Sequence, residues 1–398
     1  MSTVKSKIEQ LARAGFKETI AIRRHLHQHP ELSFEEIQTG RFIALKLSEM
    51  GIEHSHGMAG NGVVAVIRGN KPESKVIALR GDMDALPIKE ANEVSYRSKN
   101  EGVMHACGHD VHTASLLATA KILHSMRNDF DGTIKLIFQP GEEKSPGGAS
   151  IMIKEGVLEN PAPELIIGQH VHPSLQTGKV GMRPGIYMAS ADELYLTIKG
   201  RGGHAAMPQD CIDPIAVAAQ ILVGLQQLVS RFADPTIPTV LSFGKIHSEG
   251  GATNVIPTEV KIEGTFRTMN EAWREKAHKK MKKLAIGIAE SFGAACEFSI
   301  ISGYPVLHNN ESLTTKVMEF AQEYLGAENV ETLPIRMTAE DFAFYAQEIP
   351  ACFYRLGTGN PDKNITAPVH SANFDIDEDS LLIAAGTMAY LAIRLLEK

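Results

Sequence analysis

Val76-Ile77-Ala78-Leu79-Arg80-Gly81-Asp82-Met83-Asp84 is a short apolar run that ends in two acids. A nearly unbroken run of this kind suits a strand covered on both faces, as in layered α/β sheets. The pattern recurs at 63–67, 134–138 and 165–167. Two of these runs also lead into reactive side chains. The run at 134–138 enters Gln139-Pro140-Gly141-Glu142-Glu143, and that at 165–167 enters Gly168-Gln169-His170-Val171-His172. Helical spacing fills the intervals, at about 4–28, 35–50 and 111–126, the last carrying Leu116, Leu117, Ala120 and Leu123 along one face. In open α/β sheets, ligands gather at the carboxyl ends of strands. Three strand ends bearing Asp, Glu and His therefore predict one site.

Working outward, the pattern changes at about residue 190. Leu194, Leu196 and Ile198 alternate with polar residues, as in a half-buried strand. Asp213-Pro214 reads as an N-cap followed by proline at the first helical position, opening a helix to about 231. Strands follow at about 238–246 and 259–267, then a helix at 270–292 and a strand at 295–302. This β-α-β-β-α-β order is the ferredoxin-like unit. The α/β character returns afterwards, with helices near 310–325, 338–347 and 378–397 and a strand near 352–356. The expected architecture is α/β: a mostly parallel sheet covered by helices, built from 1–187 and 304–398 and interrupted by a ferredoxin-like α+β domain at 188–303.

The 398 residues are 43% hydrophobic and 22% charged, enough to bury a core without staples. A net charge of −7 with no long basic run argues against nucleic acid as the main partner. No apolar run approaches the roughly 18 residues of a membrane span, so no membrane partner is expected. Residues 1–10 lack the apolar core of a signal peptide. Four cysteines, at 107, 211, 296 and 352, make no disulfide framework, and a reducing cytoplasm is expected.

The 16 histidines are unevenly spread. Three of them and a cysteine fall in His105-Ala106-Cys107-Gly108-His109-Asp110-Val111-His112, just before a helix. Cys107 and His109 cannot share a helix face, but a turn at Gly108 lets them converge. Thiolate, imidazole and carboxylate together suit a transition metal. The adjacent pair Glu142-Glu143 suggests a division of labour, one carboxylate holding metal while its neighbour takes a proton from the attacking water. Blander readings stay open at this point. Cys107 could be a nucleophile served by His105 or His109, and Asp82, Asp84 and the Glu pair could be acids of solvated turns.

The combined motifs resemble the M20 family of metal-dependent peptidases and amidohydrolases, in the branch of N-acyl-amino-acid, hippurate and indole-acetyl-amino-acid hydrolases. The resemblance rests on Arg24-His25-Leu26-His27-Gln28-His29-Pro30-Glu31-Leu32, Arg80 to Pro87, Met104 to Asp110, Phe138 to Glu143, Gly200-Arg201-Gly202-Gly203-His204 and Asn254-Val255-Ile256-Pro257, in the family's order along nearly the whole chain. Gly141 departs from the alanine common at that place. The resemblance implies two divalent ions per chain, Zn, Mn, Co or Ni, held by Cys107, His109, Glu143, His170 and His370, with Cys107 as the bridge. Glu142 is implied as general base and acid, Asp84 as the group that orients a ligand, and His204 as the donor to the oxyanion, within its chain or across a dimer. Asn254 and Arg267 are candidates for holding a substrate carboxylate. The inserted domain is implied as lid and homodimer surface. The implied reaction is hydrolysis of the amide of an N-acyl amino acid. The alternatives are a dipeptidase, carboxypeptidase or N-acyl-diaminopimelate deacylase on the same scaffold, or a homologue without catalysis.

Overall fold

The apolar runs become strands, and most extend further than the runs themselves. A computed structural model describes residues 2–248 and 250–397. In chain order the strands are β1 (Glu53–Met58), β2 (Gly62–Arg68), β3 (Val76–Asp82), β4 (Thr133–Gln139), β5 (Leu165–Gln176), β6 (Val180–Met182), β7 (Gly185–Met188), β8 (Asp192–Lys199), β9 (Gly203–His204), β10 (Thr239–Ser248), β11 (Val255–Ile256), β12 (Glu259–Thr268), β13 (Ala295–Ser302), β14 (Leu307–Asn309), β15 (Val330–Thr332) and β16 (Ala351–Gly359). The helices are α1 (Ser2–Gln28), α2 (Ile37–Glu49), α3 (His109–Ser125), α4 (Gly148–Lys154), α5 (Pro214–Gln227), α6 (Glu271–Ser291), α7 (Glu311–Leu325), α8 (Ala343–Glu348) and α9 (Ser380–Leu396).

The chain divides into two units. The first takes in the residues up to Tyr187, His308–Pro334, and Asp341 onward. Its eight-stranded sheet has the order β1-β2-β4-β3-β5-β16-β6-β15. The four strands β4, β3, β5 and β16 run parallel at its centre. The flanks are mixed, because β2 is antiparallel to β4 and β6 to β16. All of β4 is buried, as its nearly unbroken apolar run predicts. Helices α1, α3 and α9 pack on one another, and α3 and α9 also lie against β3. Leu116, Leu117, Leu123, Leu381 and Leu391 are wholly buried in this core, each worth about 2 kcal/mol.

The second unit comprises Met188–Leu307 and also Ile335–Glu340, a stretch the sequence placed in the C-terminal part. Its antiparallel sheet has the order β10-β12-β8-β13 with α5 and α6 in the core, which is the ferredoxin-like arrangement. Alternation in β8 is complete: Leu194, Leu196 and Ile198 are buried, and Glu193, Tyr195 and Lys199 exposed. Asp213 caps α5, its Oδ1 accepting the amides of Ile215 at 2.9 Å and Ala216 at 3.4 Å.

Two expectations need correction. The segment Pro214–Phe232 is 19 residues with mean hydropathy 1.4, long and apolar enough by length and composition to cross a membrane. Gln220, Gln226, Gln227 and Arg231 interrupt the run to the eye but leave its mean high. Val217, Ile221, Leu225 and Leu228 belong to the second unit's core, as in a core helix with one open face. The helix expected at 338–347 begins only at Ala343.

Candidate metal centre and active site

Five segments bring the predicted residues together in the first unit. Asp82 closes β3 and Asp84 follows it, while the Pro140-Gly141-Glu142-Glu143 turn follows β4. His170 lies within β5, which continues to Gln176 rather than ending near 167. Gly108, at φ +79°, makes the expected turn and lets α3 start at His109. A Cβ there would sit 2.6 Å from Val171 Cγ2, so only glycine fits. His370 arrives from a distant turn at φ +62°, its amide donating to Ala106 O at 2.7 Å.

Cys107 Sγ stands at the centre. It is 3.4 Å from His170 Nε2 and 3.3 Å from His370 Nε2. His370 Nε2 is in turn 3.2 Å from Glu143 Oε1. Two donor triads result, Cys107–His109–His170 and Cys107–Glu143–His370, and they share the sulfur. Donor separations near 3.4 Å match the edge of a tetrahedron, about 3.5 Å, around a cation with bonds of roughly 2.0–2.3 Å. His109 Nδ1 is 3.0 Å from Asp84 Oδ1, which leaves Nε2 to face the triad. That Nε2 is buried without a hydrogen-bond partner. A carboxylate on one ring nitrogen and an open second nitrogen is the usual condition of a metal-bound histidine. Asp84 Oδ2 also accepts Ser33 Oγ at 2.6 Å and the Glu143 amide at 3.0 Å.

The electrostatics point the same way. Burial, together with Glu143 and Glu142, pushes the Cys107 thiol well above its ordinary range. A nucleophilic cysteine needs the opposite shift. Both ring nitrogens of His105 lack partners, so His105 does not serve the sulfur as a base. Both features favour a metal-donor role for Cys107 over a nucleophilic one. Burial opposes a charge on His109, yet Asp82 and Asp84 push it up to about 10. Burial, helped by Arg355, holds His170 well below the ordinary imidazole range, so it is a neutral donor. Excess negative charge around an orphaned imidazole nitrogen is a site suited to cations, and the donor set fits two of them.

Glu142 is buried, and its carboxylate lies with those of Glu143 and the His109 ring, donor atoms within 4.8 Å of one another. The Asp341 amide reaches Glu142 Oε1 at 3.4 Å. Asp341 went unnoticed in the sequence. It joins Arg80 at 2.7 Å and Gln139 at 2.7 Å beneath the site, and no spacing signals that role. His112 was legible only as a member of a cluster. Its Nδ1 bonds Asp82 Oδ1 at 2.5 Å and its Nε2 accepts the Val171 amide at 2.9 Å, so it buttresses the β5 ligand.

His204, Asn254 and Arg267 belong to the second unit. β9 pairs with β11, setting His204 opposite Val255, and Ala205 donates to Asn254 O at 2.9 Å. Both side chains are on exposed residues. Arg267 is half-buried near the far end of β12, eight residues from Glu259, or about 26 Å at 3.3 Å per residue.

Comparison with known proteins agrees with this geometry. The profile of peptidase family M20/M25/M40 matches residues 78–394. The N-acyl-L-amino acid amidohydrolase of Geobacillus stearothermophilus is 44% identical over 77% of this chain and 82% of its own. Thermostable carboxypeptidase 2 of Saccharolobus solfataricus is 40% identical over 95% of each chain. A Bacillus subtilis protein solved as a dinuclear metal-binding peptidase of the M20 family superimposes with a TM-score of 0.81 at 36% identity, covering 97% of this chain and 99% of that one.

Proposed function

The chain belongs to peptidase family M20/M25/M40, and from that membership we propose that it hydrolyses the amide bond of N-acyl amino acids, releasing a free amino acid and a carboxylate. The observation that carries this reading is the pair of donor triads sharing Cys107, with the buried Glu142 carboxylate beside them. Cys107, His109 and His170 would hold one divalent ion, and Cys107, Glu143 and His370 the other. When bound, such ions supply Lewis-acid stabilisation of the carbonyl oxygen and acidify water. The protein's own groups do the rest. Asp84 fixes the His109 tautomer through Nδ1. Glu142 takes the proton of the attacking water and returns it to the leaving amine. His204 donates to the oxyanion. Intact Glu142 beside an intact donor set speaks against a homologue without catalysis.

The relative named as a carboxypeptidase supports a second reading, peptide hydrolysis at the same centre. An assay over N-acetyl, N-benzoyl and N-indoleacetyl amino acids, dipeptides and short peptides separates the two. Faster turnover of peptides than of every acylated amino acid would overturn the first reading. Zn, Mn, Co and Ni all suit the S/N/O donor set, and elemental analysis of protein purified without added metal identifies the ion. A donor thiol at the centre suits a reducing cytoplasm.

Residues 188–303 are assigned as lid and homodimer domain. Ile215 and Val223 on α5 are 48% and 66% exposed, and Ile246 on edge strand β10 is 56% exposed. Exposed apolar side chains on a helix, together with a sheet edge whose outer side is open, suit a self-complementary surface for a second copy. Across such a dimer, Asn254 and His204 of one chain and Arg267 of the other could serve a single substrate.

A further inference from the structure

Ahead of α2, the segment Glu31-Leu32-Ser33-Phe34-Glu35-Glu36 runs past the acid-bearing strand ends and touches both of them. Leu32 bridges Ala85 in parallel, and Glu31 O accepts the Ala85 amide at 2.8 Å, so the segment is tied to the chain just after Asp84. Ser33 Oγ donates to Asp84 Oδ2 at 2.6 Å. Phe34 sits at φ +69°, and its carbonyl accepts Asn61 Nδ2 at 3.1 Å. Glu36 is wholly buried, and its Oε1 accepts the Gly141 amide at 2.7 Å. The Phe34 ring covers Gly141 so closely that a Cβ there, at φ +62°, would lie 2.4 Å from Phe34 Cε1. Gly141 directly precedes Glu142. Any residue with a Cβ at position 141 would collide with the Phe34 ring and strain the backbone.

We propose that Glu36 and Phe34 are positioning residues that set the turn carrying the catalytic base, through the Gly141 amide and the Phe34–Gly141 contact, while Ser33 steadies Asp84. A 1 Å displacement of a catalytic group costs up to about 10²-fold. A buried carboxylate on the amide next to Glu142 restrains such a displacement at the backbone of the turn. Burial and the nearby Asp84 push the Glu36 carboxyl up to about 7.

The inference rests on Glu142 being the base, and the experiment keeps the two apart. Metal-replete holoenzyme is compared as wild type, Glu36→Ala, Glu36→Gln, Ser33→Ala and Glu142→Gln, measuring kcat, KM and bound metal per chain. Glu36→Ala is expected to lower kcat about tenfold or more, with KM and metal content nearly unchanged. Glu36→Gln keeps an acceptor for the Gly141 amide and should recover most of that loss. Ser33→Ala, a small change that will not prevent folding, should lower kcat several-fold. The proposal is overturned if Glu142→Gln is inactive while Glu36→Ala and Ser33→Ala keep wild-type kcat. It is also overturned if Glu36→Gln loses as much kcat as Glu36→Ala, or if the loss tracks metal content. An active, metal-replete Glu142→Gln would instead refute the assignment of the base.

Discussion

At the scale of single residues, the centre is defined by what its atoms lack. His109 Nε2 has no hydrogen-bond partner, and Cys107 is a thiol that its own surroundings discourage from ionising. Only a bound cation turns both features into favourable ones. Cys107→Ala should therefore lower bound metal toward one ion or none per chain, since it removes a donor from both triads. Unchanged stoichiometry with surviving activity would remove Cys107 as the bridge. A strong chelator should abolish turnover, and added divalent metal should restore it. Glu142 is not a donor of either shared-sulfur triad, so Glu142→Gln should leave metal content nearly intact while turnover falls by roughly 10²–10⁴-fold. Near wild-type rates in the metal-replete variant would refute its role. Cys107, His109, Glu143 and His170 were legible in sequence as candidate donors because they lie at a glycine turn or just beyond an apolar run, whereas His370 came only with the family resemblance. Asp341, Ser33 and Glu36 were not, because each acts through one hydrogen bond made across the fold, which leaves no periodicity.

At the scale of elements, most strands and helices followed from apolar spacing, and the misreadings share a cause. β5 runs on through His170 because β16 lies beside it in parallel register, Arg355 opposite His170, and a partner strand extends pairing past the apolar run. The helix at 343–348 starts late because tertiary ties of Asp341, rather than local propensity, shape the residues before it. The second unit offers an element-scale test away from the metal. Asp192 opens β8, wholly buried, and meets His278 Nε2 at 2.7 Å and Arg274 Nε at 3.0 Å. Burial opposes its charge, but these bonds hold its carboxyl below the ordinary range. A depressed carboxyl stabilises the fold above its unfolded pKa, near 4, and that stability is lost as pH falls through the folded value. Asp192→Asn should thus destabilise at pH 7, by about 3–5 kcal/mol for a broken buried pair. The gap between the melting temperatures of variant and wild type should narrow as the pH drops below about 4. A gap independent of pH would show that Asp192 contributes by packing alone.

At the scale of the whole molecule, the donor triads lie in the first unit, while His204, Asn254 and Arg267 belong to the second. His204 and Asn254 meet at the β9–β11 ladder, beyond one end of the sheet, and Arg267 stands near the other end of β12. We propose that His204 and Asn254 serve the partner's site, and a mixed-dimer experiment tests this. Each single variant, His204→Ala or Glu142→Gln, should be nearly inactive, the first through the loss of an oxyanion donor worth about 10²–10³-fold. Mixed in equal amounts after subunit exchange, half the dimers combine the two chains. Each such dimer then has one site with both an intact base and an intact donor, so about a quarter of wild-type activity should return. The metal content of His204→Ala should stay at two ions per chain, because His204 is in neither triad. If exchange is demonstrated and no activity returns, His204 acts within its own chain or not at all.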